Sequence, residues 1–228
     1  MNNRHLILTG GTGGLGTILT ERVLSLGAHI TIPYHSLGEV EEFRKSVIAP
    51  KVNYVFADLR DEKSVSDIFQ SHKKVDIVIH LVGGFLMGDT HTFSLEAWNQ
   101  QISLNLTSTF LVCKYALKKM REHAYGRIVT VSSRAAVQPA GKMAAYSASK
   151  AGVIALTKSI AEETKNSNIT ANCVLPSTID TPANRKALGT KNAHKWVKPE
   201  SLAEIICFLA SEKAGDIRGA AIPVYGNV

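Results

Sequence analysis

Thr9-Gly10-Gly11-Thr12-Gly13-Gly14-Leu15-Gly16 decides the reading of this chain, because it follows the apolar run Leu6–Leu8 directly and opens an amphipathic stretch. A strand feeding a glycine-rich turn and then a helix exposes unpaired N–H groups at the positive end of the helix dipole, which suits a pyrophosphate. Residues without side chains let backbone approach phosphate closely and let helix pack on strand. Two patterns overlap: Gly11, Gly13 and Gly16 fit G-x-G-x-x-G, and Gly10, Gly14 and Gly16 fit T-G-x-x-x-G-x-G. Such a loop alone is weak evidence, since a turn can also need glycine for its backbone. Its place at the head of a strand–helix series gives it weight.

Outward from the turn, short apolar runs alternate with helical patterns to the end of the chain. Strands are predicted at Leu6–Leu8, Ile30–Ile32, Val52–Phe56, Ile77–Ile79, Ile128–Val131, Thr170–Val174 and Ala221–Val224. Helices are predicted at Gly14–Leu26, Leu37–Val47, Glu62–Gln70, Leu95–Glu122 (with a break), Tyr146–Thr164 and Ser201–Ala210. This order predicts an α/β fold: one doubly wound, Rossmann-type domain over residues 1–228, with a mostly parallel seven-stranded sheet covered on both faces.

Composition narrows the class. The 228 residues are 45% hydrophobic and 20% charged, an ordinary globular balance. No apolar run reaches the roughly 18 residues of a membrane span. Cys113, Cys173 and Cys207 are widely spaced without ligand-type pairing and read as reduced core thiols of a cytoplasmic protein; no metal site is expected. The net charge of +7 gathers at Lys114–Arg121 and Arg185–Lys198 without an aromatic stacking platform, so nucleic acid is not the expected partner.

A dinucleotide fold commonly carries an acid at the end of the second strand to hold the ribose hydroxyls. Here Tyr34, His35 and Ser36 occupy that place. The missing acid removes the main obstacle to a ribose phosphate, which favours NADP(H) slightly over NAD(H), although no Arg or Lys stands near in sequence.

Tyr146 and Lys150 are four apart at the start of a predicted helix, so phenol and ammonium share one face. A free phenol titrates near 10, and a neighbouring cation would acidify it. Ser133 follows the strand Ile128–Val131, at the carboxyl edge where open α/β sheets bind ligands, and can donate to an oxygen gaining charge.

These motifs together resemble the short-chain dehydrogenase/reductase family in its compact branch. The resemblance runs through the Thr9–Gly16 turn, Asp58-Leu59, Asn105, Ser133, Tyr146, Lys150 and Pro176-Ser177-Thr178-Ile179-Asp180-Thr181. It implies an NAD(P)-dependent oxidoreductase acting on a carbonyl or alcohol, loosely a 3-oxoacyl-type ketone. Tyr146 would exchange the proton, Lys150 would lower its pKa and bind the nicotinamide ribose, and Ser133 would orient the substrate oxygen. Asn105 would hold a water relaying protons to Lys150. Asp58 would accept from the adenine amino group beside Leu59, while Thr181 and the Ile179 backbone would fix the carboxamide after Pro176. Family members assemble as tetramers or dimers through the long helices, so a homo-oligomer is expected.

The chain also departs from the family. His80-Leu81-Val82-Gly83 replaces the usual Asn-Asn-Ala-Gly; Gly83 still permits close approach to a cofactor, and His80 reads as a structural brace. Ser177 stands where glycine is usual, which questions the local backbone. A short basic lid at about residues 182–199, carrying Arg185, Lys186, Lys191, His194, Lys195 and Lys198, suggests attraction for an acidic substrate group. The competing reading is a non-catalytic NAD(P)-sensing regulator, which would have no need of the Tyr146 phenol.

Overall fold

The computed structural model describes residues 1–45 and 48–228. Seven strands form one all-parallel sheet in the order β3-β2-β1-β4-β5-β6-β7. They are β1 His5–Thr9, β2 His29–Tyr34, β3 Val52–Phe56, β4 Ile77–His80, β5 Gly126–Val131, β6 Ile169–Pro176 and β7 Ala221–Val224. Strand order reverses between β1 and β4, which opens a crevice beyond their carboxyl ends. Helices cover both faces, so the central strands lose alternation and become continuous apolar runs, as in Leu6, Ile7 and Leu8, all almost fully buried.

Two cores flank the sheet. On one face, Leu19 and Val23 of α1 (Gly14–Ser25) meet Leu202 and Ile206 of α8 (Pro199–Leu209) over Leu6, Leu8 and Ile79. The other face holds Val65 and Ile68 of α3 (Glu62–Gln70), Leu111 and Val112 of α5 (Ser108–Glu122) and Ile160 of α6 (Ala144–Glu163). Each such side chain contributes about 1.5–3 kcal/mol on leaving water.

Most predicted elements lie where the pattern put them, with shifted ends. The helix predicted at Leu37–Val47 is α2, Leu37–Arg44; its predicted last residue, Val47, lies outside the described residues. The break expected within Leu95–Glu122 is not an exit from helix. It is a π-helical turn, Ser103–Thr107, joining α4 (Leu95–Ile102) to α5. The predicted lid contains an unforeseen helix, α7 (Pro182–Leu188), whose cap is Thr181, accepting from Asn184 N–H at 3.3 Å, with Pro182 opening the first turn. Cys113, Cys173 and Cys207 are buried and unpaired. Among the described residues no helix is long and apolar enough to cross a membrane.

Candidate active site

The turn between β1 and α1 is closed by near-contact of backbone: a Cβ on Gly16 would lie 2.0 Å from Gly10 O, so only glycine fits there. Gly10 itself has φ +70°. Gly13 is the extended N-cap of α1; no side chain caps this end and no acid sits in its first turn. Gly13 and Gly14 are exposed, Thr12 and Leu15 half-buried, and Leu15 packs on the core below. Gly11 belongs to packing instead, since its Cβ would meet Ile32 at 2.6 Å. The result is an uncapped, positively polarised helix end facing the crevice.

Across the crevice, β5 and α6 bring the other groups together. Lys150 is almost fully buried, and its ammonium donates to Val131 O at 2.9 Å. Ser132 ties the same strand end to the helix by donating to Lys150 O at 2.6 Å. Because α6 starts at Ala144, Tyr146 sits in its first turn, half-buried, with Phe85 packed edge-on at 4.9 Å. The Ser133 hydroxyl lies near enough to the Tyr146 phenol to pull its pKa down. Asn105 is fully buried in the π turn. Its Oδ1 accepts from Gly84 N–H at 2.8 Å, while Nδ2 donates to Gly84 O and to Ser149 Oγ, both at 3.0 Å. Gly83 is pressed between these groups: a Cβ there would lie 2.8 Å from Asn105 Oδ1 and 2.9 Å from Lys150 Nζ.

The electrostatics differ from the sequence expectation. Burial lowers the Lys150 ammonium to about 8. The Tyr146 phenol is raised, not acidified, because burial outweighs the lowering effect of Ser133. The Lys150 nitrogen stands 6.0 Å from the phenol ring centre. Tyr146 therefore keeps its proton at neutral pH, the state of a general acid.

His80 is the brace foreseen. Fully enclosed, it bonds Thr9 Oγ1 through Nδ1 at 2.9 Å and Ser108 Oγ through Nε2 at 3.4 Å, linking β1 to α5. Burial first, then the Lys150 charge, depresses its pKa to about 3, so the ring is neutral.

At the far end of the crevice, β2 and β3 run in register, with Tyr34 opposite Phe56. Tyr34 packs edge-on to Phe56, and His35 stacks on the same ring at 5.8 Å. His35 Nε2 comes within 3.8 Å of Asp58, whose carboxylate is gripped by Arg60 through Nε at 2.9 Å and Nη2 at 2.7 Å. That grip holds Asp58 down at about 2. An arginine thus stands beside the second strand's end after all, brought there by strand pairing from 26 residues beyond Tyr34 (60 − 34). Leu59 is buried in the core beneath.

A cavity of about 630 Å³ opens over Ser133, Tyr146 and Lys150. Pro176, Ser177 and Ile179 form part of its wall. Ser177 needs no left-handed backbone; its hydroxyl donates to Tyr225 O at 2.7 Å. Ile179 O accepts from Asn184 Nδ2 at 2.8 Å, and Thr181 faces Gly14 across the crevice, 3.1 Å from where a Cβ would be. The lid gives the wall Asn184 and Leu188 and none of its cations. Arg185 is instead paired with Asp180, Nε to Oδ1 at 2.5 Å.

Comparison with known proteins places this geometry in a familiar setting. A model described as short chain dehydrogenase matches residues 4–192. The 3-oxoacyl-[acyl-carrier-protein] reductase MabA of Mycobacterium tuberculosis is 32% identical over 99% of this chain and 93% of that protein. The 7alpha-hydroxysteroid dehydrogenase of Bacteroides fragilis is 31% identical over 99% of this chain and 94% of its own. The solved structure of actinorhodin polyketide ketoreductase with NADPH superposes with a TM-score of 0.89 at 25% identity, covering 99% of this chain and 98% of that one.

Proposed function

The chain belongs to the short-chain dehydrogenase family and is an NAD(P)-dependent oxidoreductase, and on that premise we propose that it reduces a ketone of the 3-oxoacyl type with NADPH, using Ser133, Tyr146, Lys150 and Asn105. The observation that carries this is the hydroxyl pair of Ser133 and Tyr146 on a cavity wall, backed by the buried Lys150 ammonium.

The residues present fit a dinucleotide. The uncapped end of α1 at Gly13, Gly14 and Leu15 would hold the pyrophosphate, with Thr12 and the Gly10–Gly16 contact shaping the turn. Gly83, Lys150, Pro176, Ile179 and Thr181 would hold the nicotinamide end; Tyr34, His35, Asp58 and Leu59 would hold the adenosine end. When bound, the reduced nicotinamide supplies the hydride. Ser133 donates to the substrate oxygen and fixes its direction. Tyr146, held protonated by burial, transfers its phenolic proton to that oxygen as charge develops there. The Lys150 ammonium stabilises the phenolate left behind. Asn105 keeps Gly84 and Ser149 in place around that lysine, with both amide hydrogens engaged.

Support for NADPH comes from Arg60 and His35 beside a β2 end that carries no acid. The grip of Arg60 neutralises Asp58, so the local charge does not repel a ribose phosphate. Support for the ketone comes from the reductase and ketoreductase among the similar proteins. Assembly through α5 and α6 belongs to this reading, because the exposed Phe110 lines a groove with Leu117, Leu156 and Ile160, flanked by Lys114, Lys118, Arg121 and Glu163. A cytoplasmic location belongs to it as well.

The test is a panel of ketones with NADPH and NADH, run on wild type and Tyr146→Phe. The expected result is turnover favouring NADPH and a loss in kcat of roughly 10²–10⁴-fold in the variant, with NADPH still bound. Wild-type turnover matched by Tyr146→Phe would sink the assignment of the proton donor.

A further inference from the structure

Beyond Gly83 the chain leaves β4 and runs past the active cavity as irregular backbone, so its N–H groups need partners from outside the sheet. Alternate residues find them. Gly84 N–H donates to Asn105 Oδ1 at 2.8 Å, Leu86 N–H to Gln101 Oε1 at 3.3 Å and Gly88 N–H to Lys142 O at 2.9 Å. Between these anchors, Phe85 and Met87 line the cavity over Ser133 and Tyr146, whereas Leu86 and Gly88 line a separate pocket against Leu95 and Trp98 of α4. Such alternation is that of an extended chain. The attachment of the backbone therefore decides which side chains meet the site.

In α4 the buried position is taken by a polar residue, Gln101, which is 2% exposed. Burying a long amide costs rotamer freedom and desolvation, and the bond from Leu86 N–H offsets that cost. Four residues on, Asn105 holds Gly84 through both its N–H and its carbonyl. A Cβ on Gly84 would lie 2.6 Å from Leu104 Cδ2, so glycine lets the backbone come this close to the two amides. Gln101 and Asn105 thereby clamp the chain on either side of Phe85. That ring is half exposed and, unclamped, would be free to turn into solvent. It stands instead edge-on to Tyr146, with centroids 4.9 Å apart and planes at 87°. Edge-to-face pairing fixes the orientation of a ring, and proton transfer depends steeply on placement.

We infer that Phe85 is a positioning residue for the Tyr146 phenol, and that Gln101, through Leu86 N–H, holds Phe85 in that role. This rests on the reading of Tyr146 as proton donor given above and extends it by two residues. Gln101 acts at two removes: it fixes backbone, the backbone fixes the Phe85 ring, and the ring fixes the phenol.

The test has two arms. The first needs no turnover: protein labelled with 3-fluorotyrosine gives one fluorine resonance per tyrosine, and Tyr146→Phe identifies that of Tyr146. Phe85→Leu should move this resonance, and Gln101→Met should move it in the same direction. A resonance that Gln101→Met leaves in place would overturn the role of Gln101; one that Phe85→Leu leaves in place would overturn the whole inference. The second arm measures reduction of ethyl 3-oxobutanoate with NADPH. Phe85→Leu should lower kcat at least about tenfold, with KM for the ketone kept within about twofold, while Phe85→Tyr, which keeps a ring, should retain most of the activity. Added to Tyr146→Phe, Phe85→Leu should cost less than about twofold more, and so should Gln101→Met added to Phe85→Leu, because each acts through the residue already lost. A rise in KM alone would make Phe85 a wall of the cavity and nothing more, and additive losses would give it a part independent of the phenol; either result overturns the inference. Failure of wild type to reduce the ketone would count against the ketone-reducing reading instead, and the fluorine resonances would still decide whether Gln101 and Phe85 hold the phenol.

Discussion

Lys150 donates its ammonium proton to Val131 O at 2.9 Å, so a cation on α6 is rooted in the end of β5, two residues before Ser133. Burial there holds it at about 8 rather than 10.5. The protonated form supports the phenolate, so kcat/KM for reduction should fall as pH climbs through about 8. Lys150→Arg should move that limb upward or abolish it, since guanidinium does not titrate in this range. A limb left in place by the substitution would assign it to another group. The same shift acts on stability. The folded chain binds fewer protons than the unfolded one between about 8 and 10.5, so this group's contribution rises across that window. Denaturant titrations of wild type and Lys150→Met should differ most in slope there.

Gly83 is fixed by neighbours rather than by its own backbone. Ala in its place puts a methyl 2.8 Å from Asn105 Oδ1 and 2.9 Å from Lys150 Nζ, inside the distances real contacts reach. Gly83→Ala should cost about 1–3 kcal/mol of stability by overpacking and at least about tenfold in kcat. Full activity with an unchanged melting temperature would mean that the Lys150–Asn105 arrangement yields freely.

His80 is depressed to about 3 from 6.5, so its neutral ring favours the fold above pH about 6.5 and loses that advantage as pH falls towards 3. Ser108 donates to Leu104 O at 2.6 Å, which leaves its oxygen to accept from His80 Nε2–H and leaves Nδ1 to accept from Thr9 Oγ1. Nitrogen-15 shifts should report that tautomer. His80→Asn should flatten the acid limb of stability over the same window; an unaltered limb would place acid sensitivity elsewhere.

Arg60 offers a test of cofactor choice. Arg60→Ala frees the Asp58 carboxylate beside His35 and removes a cation from the adenosine end. The ratio of kcat/KM for NADPH to that for NADH should drop at least about tenfold, the size of one lost charge-assisted contact. Equal losses with both cofactors would reduce Arg60 to a structural role.

The sheet was legible because strands buried on both faces read as plain apolar runs, and the glycine turn was legible because Gly16 can be nothing else beside Gly10 O. Arg60 was not. It grips Asp58, which comes near His35 through the parallel pairing of β2 with β3, and parallel partners are remote in sequence. Phe85, packed on Tyr146, was hidden for the same reason. The Thr181-Pro182 start of α7 did carry a signal, a capping threonine followed by proline. The protonation of Tyr146 could not be read from spacing, because burial depth sets it and Lys150 at four residues does not override that depth.

The π turn at Ser103–Thr107 separates two demands that one regular spiral could not meet. Asn105 must turn towards Gly84 and Ser149, while Leu111, Val112 and Ala116 must stay seated on the sheet. Winding the same residues as an ordinary α-helix would swing one of these faces away from the other by about 100°. The wide turn is therefore under tighter constraint than the side chains around Asn105: replacements that keep it should be accepted more readily than one that lets the segment wind as regular helix.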